Sequence, residues 1–251
     1  MKIQMHLAAQ YLATAGISFI EKRDDDSHTN LGWVSNLASL QTHPLNSTGD
    51  VLSLNYNSFS LEWLVNNTVT NHFSLHKKTH KNIVEWISKT SEEHGITIPY
   101  AYKLHYDLPY KAITDDYVFE LKNRNELDVL ISYRTLAQQA IEFTLKNYNL
   151  ITDIRIWPHH FDTGSFFVDS NGIGIGVGMA IPDNMINDFY LYVSGYKGHD
   201  NIELSNTKEI KYGRYYNNEW KGIALPITGI NKEIAINFYE NAINNYTKPS
   251  L

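Results

Sequence analysis

Apolar residues recur at intervals of three and four in four stretches of the chain, the spacing that places them on one face of an α-helix. The first stretch runs from about Ile3 to Gly16. The other three cover residues 77–95, 126–147 and 231–246. The first two stretches end at a glycine, which is a common stop for a helix. The pattern therefore predicts four helices.

Between these stretches, apolar and polar residues alternate with the period of two that is typical of β-strands. Residues 50–65 alternate on both sides of Asn57 and Ser58, which predicts a hairpin, and residues 68–76 predict a third strand. The second half of the chain predicts four more strands, at residues 154–168, 172–181, 189–196 and 219–227. We expect these strands to pair antiparallel, because they follow one another through short connections.

The order of the predicted elements repeats along the chain. Residues of about 1–95 and 126–251 each show a helix, several antiparallel strands and a helix, and a segment with several tyrosines and prolines at about 96–125 connects them. Such repetition indicates an internal duplication. Two one-sided sheets can bury their apolar faces by packing together. The expected fold class is therefore α+β, with two tandem repeats packed about a pseudo-two-fold axis as a single unit of residues 1–251.

Composition narrows the classes of function. The net charge is −6, and the 21 lysines and arginines are scattered, whereas a nucleic-acid-binding protein gathers them into a basic stripe. The chain has no cysteine, which excludes disulfides, cysteine-ligated zinc and a thiol nucleophile. No apolar run approaches the roughly 18 residues of a membrane span, and the first residues suit an amphipathic helix better than a signal peptide. We therefore expect a cytoplasmic protein with no nucleic-acid partner and no membrane partner.

The stretch from Trp157 to Asp162, WPHHFD, concentrates groups that can carry chemistry. As part of one strand, it would place His160 and Asp162 on the same face and His159 on the opposite face. A carboxylate beside an imidazole orients the ring and raises its basicity, which serves both general bases and metal ligands. The alternative is a structural role, in which one face is core and the other is a solvated sheet surface.

A second unusual stretch is the predicted strand GIGIGVG, in which glycines occupy one face at positions 172, 174, 176 and 178. The spacing G-x-G-x-G within a strand does not match the dinucleotide-binding fingerprint, which opens a helix. A glycine face lets another group approach the backbone closely. We expect bulky rings of the neighbouring strand to lie over it. The alternative is a ligand that rests on the bare backbone.

The stretch DDDSHTNLGW, residues 24–33, is expected to take the place in the first repeat that WPHHFD takes in the second. It supplies a carboxylate in Asp26, an imidazole in His28, an amide in Asn30 and an indole in Trp33. A run of aspartates is usually a solvated loop. Here it leads directly into these polar and aromatic residues, so we treat it as the first repeat's contribution to a site.

Two further pairs have helical spacing. His6 and Gln10 lie one turn apart on the first predicted helix, and we expect them to face the same region as the other site residues. His76 and His80 have the same spacing, but they straddle a strand-to-helix boundary among lysines. We expect both of these histidines at the surface.

Four motifs together resemble a family of uncharacterised bacterial proteins that share a domain of unknown function: DDDSHTNLGW, LHYDLP at residues 104–109, WPHHFD, and GIGVGMAIPD at residues 174–183. The resemblance extends over nearly the whole chain, and WPHHFD is its most specific part. In the similar sequences we expect an acidic residue, a proline and an aromatic residue after the GVG strand. This chain has NDFYLYV there, with Asp188 and no proline. The resemblance implies no particular activity.

The sequence predicts that a small polar ligand binds in a cleft between the repeats, lined by histidine, aspartate and tryptophan. If the protein is an enzyme, His160 and Asp162 are its catalytic pair, and a hydrolase is the reaction class that they suit. A divalent metal is the candidate cofactor, with His160, Asp162 and His28 as ligands. The ligand-binding residues are Trp157, His159, His28, Asp26, Asn30, Trp33, His6 and Gln10. The alternative is a non-catalytic module that binds a sugar, a peptide or another protein, with structural histidines.

Overall fold

The computed structural model describes residues 1–204, 210–218 and 220–247. The chain forms two compact units, one of Met1–Ser132 with Ile156–His159 and one of Tyr133–Arg155 with His160–Leu251. Helices and antiparallel sheets are both present, so the α+β class is confirmed. The packing of two repeats as one unit stays a prediction. In the described part of the chain, no helix is long and apolar enough to cross a membrane.

The first unit begins with helix α1 (Lys2–Phe19), which precedes a five-stranded antiparallel sheet. The strands lie in the sheet in their sequence order: β1 (Gly32–Val34), β2 (Ser39–Gln41), β3 (Val51–Asn55), β4 (Ser60–Val65) and β5 (Thr68–Ser74). A small second sheet pairs β6 (Lys78–Thr79) with β7 (Val118–Phe119). Helix α2 (His80–Glu93) lies between these two strands in sequence and packs on β5.

The core of the first unit consists of helix α1, which is almost completely buried, and of the inward-facing apolar side chains of the strands. Every residue of α1 from Met5 to Gly16 is buried, and α1 packs on β3. Leu52 and Leu54 of β3 pair with Trp63 and Leu61 of β4, and all four side chains are buried. The helix predicted for residues 3–16 and the hairpin predicted for residues 50–65 are therefore confirmed.

Helix α3 (Arg124–Asn147) contains residues of both units, and strand β8 (Arg155–Trp157) spans their boundary in sequence. The strands of the second unit are β9 (Asp162–Val168), β10 (Ile173–Ala180), β11 (Tyr190–Lys197), β12 (Asp200–Asn201), β13 (Arg214–Asn217) and β14 (Lys221–Pro226). They pair antiparallel in the order β13-β14-β11-β10-β9, with β12 beside β11. Helix α4 (Lys232–Thr247) packs on β10 and β11. Glu219, at the start of one predicted strand, lies outside the described residues.

Four-residue turns join several neighbouring strands. Residues 35–38 join β1 to β2, residues 56–59 join β3 to β4, and residues 158–161 join β8 to β9. The last residue of each turn has a left-handed backbone, with φ of 50° at Ala38, 50° at Phe59 and 60° at Phe161. The continuous strand predicted for residues 154–168 is therefore wrong, because the chain reverses within WPHHFD. The assignment of its two histidines to opposite strand faces is wrong for the same reason.

Aromatic rings cover the glycine face of β10, as predicted. A Cβ atom on Gly174 would lie 2.7 Å from the ring of Phe166, and one on Gly178 would lie 2.4 Å from the ring of Tyr192. Gly178 would also meet a backbone oxygen at 2.3 Å, so two neighbours require a glycine there. Gly172 lies in the turn before β10, with φ of 78°, and does not belong to the strand face.

Candidate functional site

Two buried polar residues of α1 hold the WPHHFD turn. His6 Nε2 lies 2.8 Å and Gln10 Nε2 lies 2.9 Å from the carbonyl oxygen of Pro158. Because a carbonyl oxygen only accepts hydrogen bonds, the proton of neutral His6 lies on Nε2. Its Nδ1 then accepts a hydrogen bond from the Tyr110 hydroxyl at 3.1 Å. His6 and Gln10 lie beside WPHHFD as predicted, but their polar atoms are used for structure.

Residues 100–110, predicted as part of the connector, lie along the same side of α1, and we call them the tyrosine strap. Its bonds reach positions spaced by four on the helix: Tyr110 to His6 at 3.1 Å, Tyr106 to Gln10 at 2.7 Å, Tyr100 to Thr14 at 2.7 Å and Ala101 N–H to Ser18 at 3.1 Å. Positions spaced by four share one face of a helix. Burial raises the pKa of Tyr100, Tyr106 and Tyr110, so these hydroxyls remain protonated donors at neutral pH.

Five side chains of the first unit are neighbours in space and form a row that we call the histidine–aromatic row. In spatial order they are Trp157, His159, Tyr106, His105 and Asp26. The ring centroids are 6.2 Å apart from Trp157 to His159, 5.5 Å from His159 to Tyr106 and 5.0 Å from Tyr106 to His105. His105 Nε2 lies 3.2 Å from Asp26 Oδ2. The side chains of His105 and Asp26 are 42% and 41% exposed, so a ligand can reach this end of the row.

His28 lies close to the charged end of the row. It belongs to a short 3-10 turn (Ser27–Thr29) before β1, and its Nδ1 accepts a hydrogen bond from the Arg23 backbone at 3.3 Å. Burial lowers the pKa of His28, although the charge of Asp26 opposes this, and His105 lowers the pKa further. His28 is therefore neutral at pH 7. His28 precedes β1, whereas His159 and His160 follow β8, so these histidines do not occupy equivalent places in the element order. The equivalence of DDDSHTNLGW and WPHHFD stays a prediction.

The other two residues predicted from DDDSHTNLGW face other partners. The side-chain oxygen of Asn30 accepts a hydrogen bond from His43 Nε2 at 2.8 Å. Trp33 is buried and packs edge-on against Tyr56, with ring centroids 5.1 Å apart. Asn30 and Trp33 thus both have partners in the interior of the first unit.

His80 is buried, so its prediction as a surface residue is wrong. Its Nδ1 lies 2.7 Å from the hydroxyl of Tyr11 on α1, and the ring of Tyr102 packs edge-on against it. Burial lowers the pKa of His80, and the charge of Asp115 opposes this only in part. Helical spacing among lysines did not reveal the buried position, since its partners come from distant parts of the sequence. His76 is exposed, as predicted.

The predicted catalytic pair, His160 and Asp162, belongs to the second unit. His160 is exposed, and Asp162 accepts a hydrogen bond from the Tyr192 hydroxyl at 2.8 Å. Arg134 is buried beside them and donates to the backbone oxygen of Phe161 at 2.9 Å and to the hydroxyl of Thr163 at 2.9 Å. These bonds hold the left-handed end of the WPHHFD turn. The roles of His160 and Asp162 in catalysis stay a prediction.

Metal binding finds no support in the geometry. Among residues 1–204, 210–218 and 220–247, no group of three or more histidine, aspartate or glutamate side chains is arranged to hold a metal ion. The predicted ligand set of His160, Asp162 and His28 is thus not confirmed. His105 and Asp26 approach one another as a pair, an arrangement that suits hydrogen bonding.

Sequence reasoning missed His105, Tyr106 and Tyr110, although the motif LHYDLP contains the first two. The useful signal was the concentration of tyrosines at positions 100, 102, 106 and 110, because a tyrosine buries a ring while its hydroxyl needs a polar partner.

Comparison of the chain with protein-family models, with curated proteins and with solved structures gives no match.

Proposed function

We propose that the protein binds a small polar ligand with a hydroxylated ring, of the sugar class, at the histidine–aromatic row of the first unit. The observation that carries the proposal is the succession of neighbouring rings from Trp157 to His105, which ends at the carboxylate of Asp26. Rings offer apolar faces to the carbon side of a sugar, and a carboxylate–imidazole pair can bond to its hydroxyls.

The row is also held firmly, as a binding surface must be. His6 and Gln10 fix the carbonyl of Pro158, directly before His159, and Gln10 accepts from the hydroxyl of Tyr106. Gln10 therefore helps to hold two neighbours in the row, His159 through the preceding carbonyl group and Tyr106 through its hydroxyl group. Rigid presentation of this kind lowers the entropy that is lost when a ligand binds.

Binding without catalysis is the form of the proposal that the contacts favour. Both ring nitrogens of His6 and all the amide groups of Gln10 have hydrogen-bond partners, as expected for structural residues. The Asp26–His105 pair supplies a carboxylate that accepts hydrogen bonds and an imidazole that can donate one. It can recognise a hydroxyl without a reaction.

Saturation-transfer NMR with glucose, galactose and N-acetylglucosamine tests the proposal. We expect transfer to at least one sugar, and Trp157→Ala and His105→Ala should each weaken its binding about threefold to tenfold, which corresponds to the contact energy of one ring. Trp86→Ala is the matched control, since Trp86 is a half-buried indole that packs on Phe73 outside the row. No transfer to any of the sugars, or equal loss in the control, would contradict the proposal.

We also propose that the two halves of the chain arose by duplication and are related by a pseudo-two-fold axis. The supporting observation is their order: α1, β1 to β5 and α2 in one, and α3, β8 to β11, β14 and α4 in the other. Strands β12 and β13 are then an insertion before β14. The turns at 35–38 and 158–161 occupy the same place in this order, and both end in a left-handed residue, Ala38 or Phe161.

A further inference from the structure

A carboxylate, an imidazole and a hydroxyl meet in the first unit at Asp50, His94 and Thr70, none of which belongs to the histidine–aromatic row. Asp50 precedes β3, Thr70 lies on β5, and His94 follows the last residue of α2. Asp50 Oδ2 lies 3.2 Å from His94 Nδ1, and His94 Nε2 lies 3.4 Å from Thr70 Oγ1. The imidazole thus lies between the carboxylate and the hydroxyl, the order that activates a hydroxyl nucleophile.

Asp50 is only 2% exposed, yet its surroundings favour the ionised form. Burial raises the pKa of Asp50, but hydrogen bonds from Trp63, Thr48 and Asn46 and the charge of His94 outweigh it, so that the net pKa is below its ordinary value. Trp63 Nε1 donates to Oδ2 at 2.9 Å, and the Thr48 hydroxyl donates to Oδ1 at 2.8 Å. An ionised carboxylate only accepts, so His94 Nδ1 carries a proton directed at Asp50.

The opposite nitrogen of His94 is therefore the one that can exchange a proton. The Asn71 side-chain oxygen lies 2.9 Å from Nε2, so it accepts a hydrogen bond whenever Nε2 is protonated. The Trp63 ring is stacked on His94 at 5.3 Å and 27°, which fixes the plane of the imidazole and stabilises its cation. Asp50, Asn71 and Trp63 together support the imidazolium that forms when Nε2 takes a proton.

Thr70 is reachable by a substrate. It is exposed, and β5 is the last strand of its sheet. Its hydroxyl donates to the carbonyl oxygen of Trp63 at 3.2 Å. Rotation about the Cβ–Oγ1 bond alone can direct the same hydrogen to His94 Nε2. The side chain of His94 is 20% exposed, so the proton acceptor is also close to the surface.

We propose that Thr70, with His94 as its base and Asp50 as the positioning residue, accepts acyl groups from small carboxylic esters. Thr70 Oγ1 forms a bond to the ester carbonyl carbon, and its proton passes to His94 Nε2. The bond from that carbon to the alcohol oxygen breaks, and the leaving alcohol takes the proton from Nε2. Water then attacks the acyl-threonine, gives a proton to Nε2 and releases the carboxylic acid, while Thr70 regains that proton.

Incubation of the full chain with p-nitrophenyl acetate tests this proposal. We expect release of p-nitrophenolate and an acetyl group on Thr70 in peptide mass spectra. Thr70→Val should abolish the label and reduce the rate about a hundredfold, the lower range of general-base and nucleophilic effects. His94→Gln should lower the rate similarly, and Thr70→Ser should retain both label and activity. Thr68→Val is the matched control, since Thr68 is exposed on the same strand.

The outcomes separate this proposal from the sugar-binding proposal, which concerns other residues and another measurement. A rate that is equal in Thr70→Val and wild type would overturn the role of Thr70. So would acetylation found solely on lysines or on the chain terminus. Thr70 is exposed, so its substitution leaves the core unchanged, and circular dichroism of each variant identifies any loss of fold.

Discussion

Removal of one hydroxyl from the tyrosine strap probes how the candidate site is supported. In Tyr106→Phe the ring remains in the histidine–aromatic row, but Gln10 loses the hydrogen bond from Tyr106 at 2.7 Å. Gln10 is fully buried, and its side-chain oxygen has this hydroxyl as its partner, while its NH₂ group donates to His6 and Pro158. The variant therefore leaves one buried acceptor without a hydrogen bond and changes little else.

The expected cost follows from that acceptor. When a buried polar group loses its hydrogen-bond partner, the free energy of unfolding falls by about 1–3 kcal/mol. When the remaining donor or acceptor can form a hydrogen bond with water instead, the loss is about 0.5–1 kcal/mol. Tyr117→Phe provides the second case, because the Tyr117 hydroxyl accepts from Gln4 Nε2 at 3.1 Å and Gln4 is only partly buried. We expect Tyr106→Phe to lower the free energy of unfolding by about 1 kcal/mol more than Tyr117→Phe does.

Urea unfolding monitored by tryptophan fluorescence measures both variants, and amide hydrogen exchange in α1 shows where stability is lost. Gln10→Leu supplies the other half of a double-mutant cycle, since the loss from Tyr106→Phe should shrink when its acceptor is absent. Two results would refute the inference that the tyrosine strap supplies hydrogen-bond partners to the buried polar residues of α1. One is an equal loss of unfolding free energy in the Tyr106 and Tyr117 variants, and the other is an unchanged loss from Tyr106→Phe in the Gln10→Leu background.

Three further outcomes are expected from urea unfolding. Gly178→Ala should destabilise the protein by about 1–3 kcal/mol, since its Cβ would clash with backbone and with the Tyr192 ring, whereas Gly176→Ala meets mainly a serine hydroxyl at 2.9 Å and should cost less. Burial lowers the pKa of His80, so stability should be complete above about pH 6.5 and fall as pH drops through the lowered folded-state pKa, and His80→Gln should flatten this decline. Arg134→Lys should cost about 1–3 kcal/mol, because one ammonium cannot reproduce the two-donor guanidinium geometry. Equal losses for the two glycine variants, a pH profile unchanged by His80→Gln, or a neutral Arg134→Lys would each contradict its prediction.

The spacing of apolar residues was sufficient to predict the helices and strands that bury one regular face. Residues 3–16, 77–95, 126–147 and 231–246 all lie in or around helices, because regular apolar spacing requires a regular backbone. The hairpin at 50–65 could be predicted from Asn57 and Ser58, which lie in its turn. Local sequence and tertiary packing favour the same structure in these stretches.

WPHHFD shows where periodicity fails. Its alternation is compatible with a strand, but the chain turns at residues 158–161, and Phe161 adopts a left-handed backbone that a bulky residue rarely takes. Arg134 donates to the Phe161 oxygen, and His6 and Gln10 hold the Pro158 oxygen. These partners come from distant segments, so the alternation of residues within the motif did not indicate the turn.

The sequence predicted only those residues of the candidate site that lie within the motifs singled out for their chemistry. Asp26, Trp157 and His159 were named from sequence, but Tyr106 and His105 join them through the strap. The link is physical, since a helix buried on all sides cannot carry a polar stripe unless each polar group has a partner. The strap supplies those partners for α1, and its position then brings its own rings beside the turn that α1 holds. Burial of a polar helix face thus determines which residues form the row.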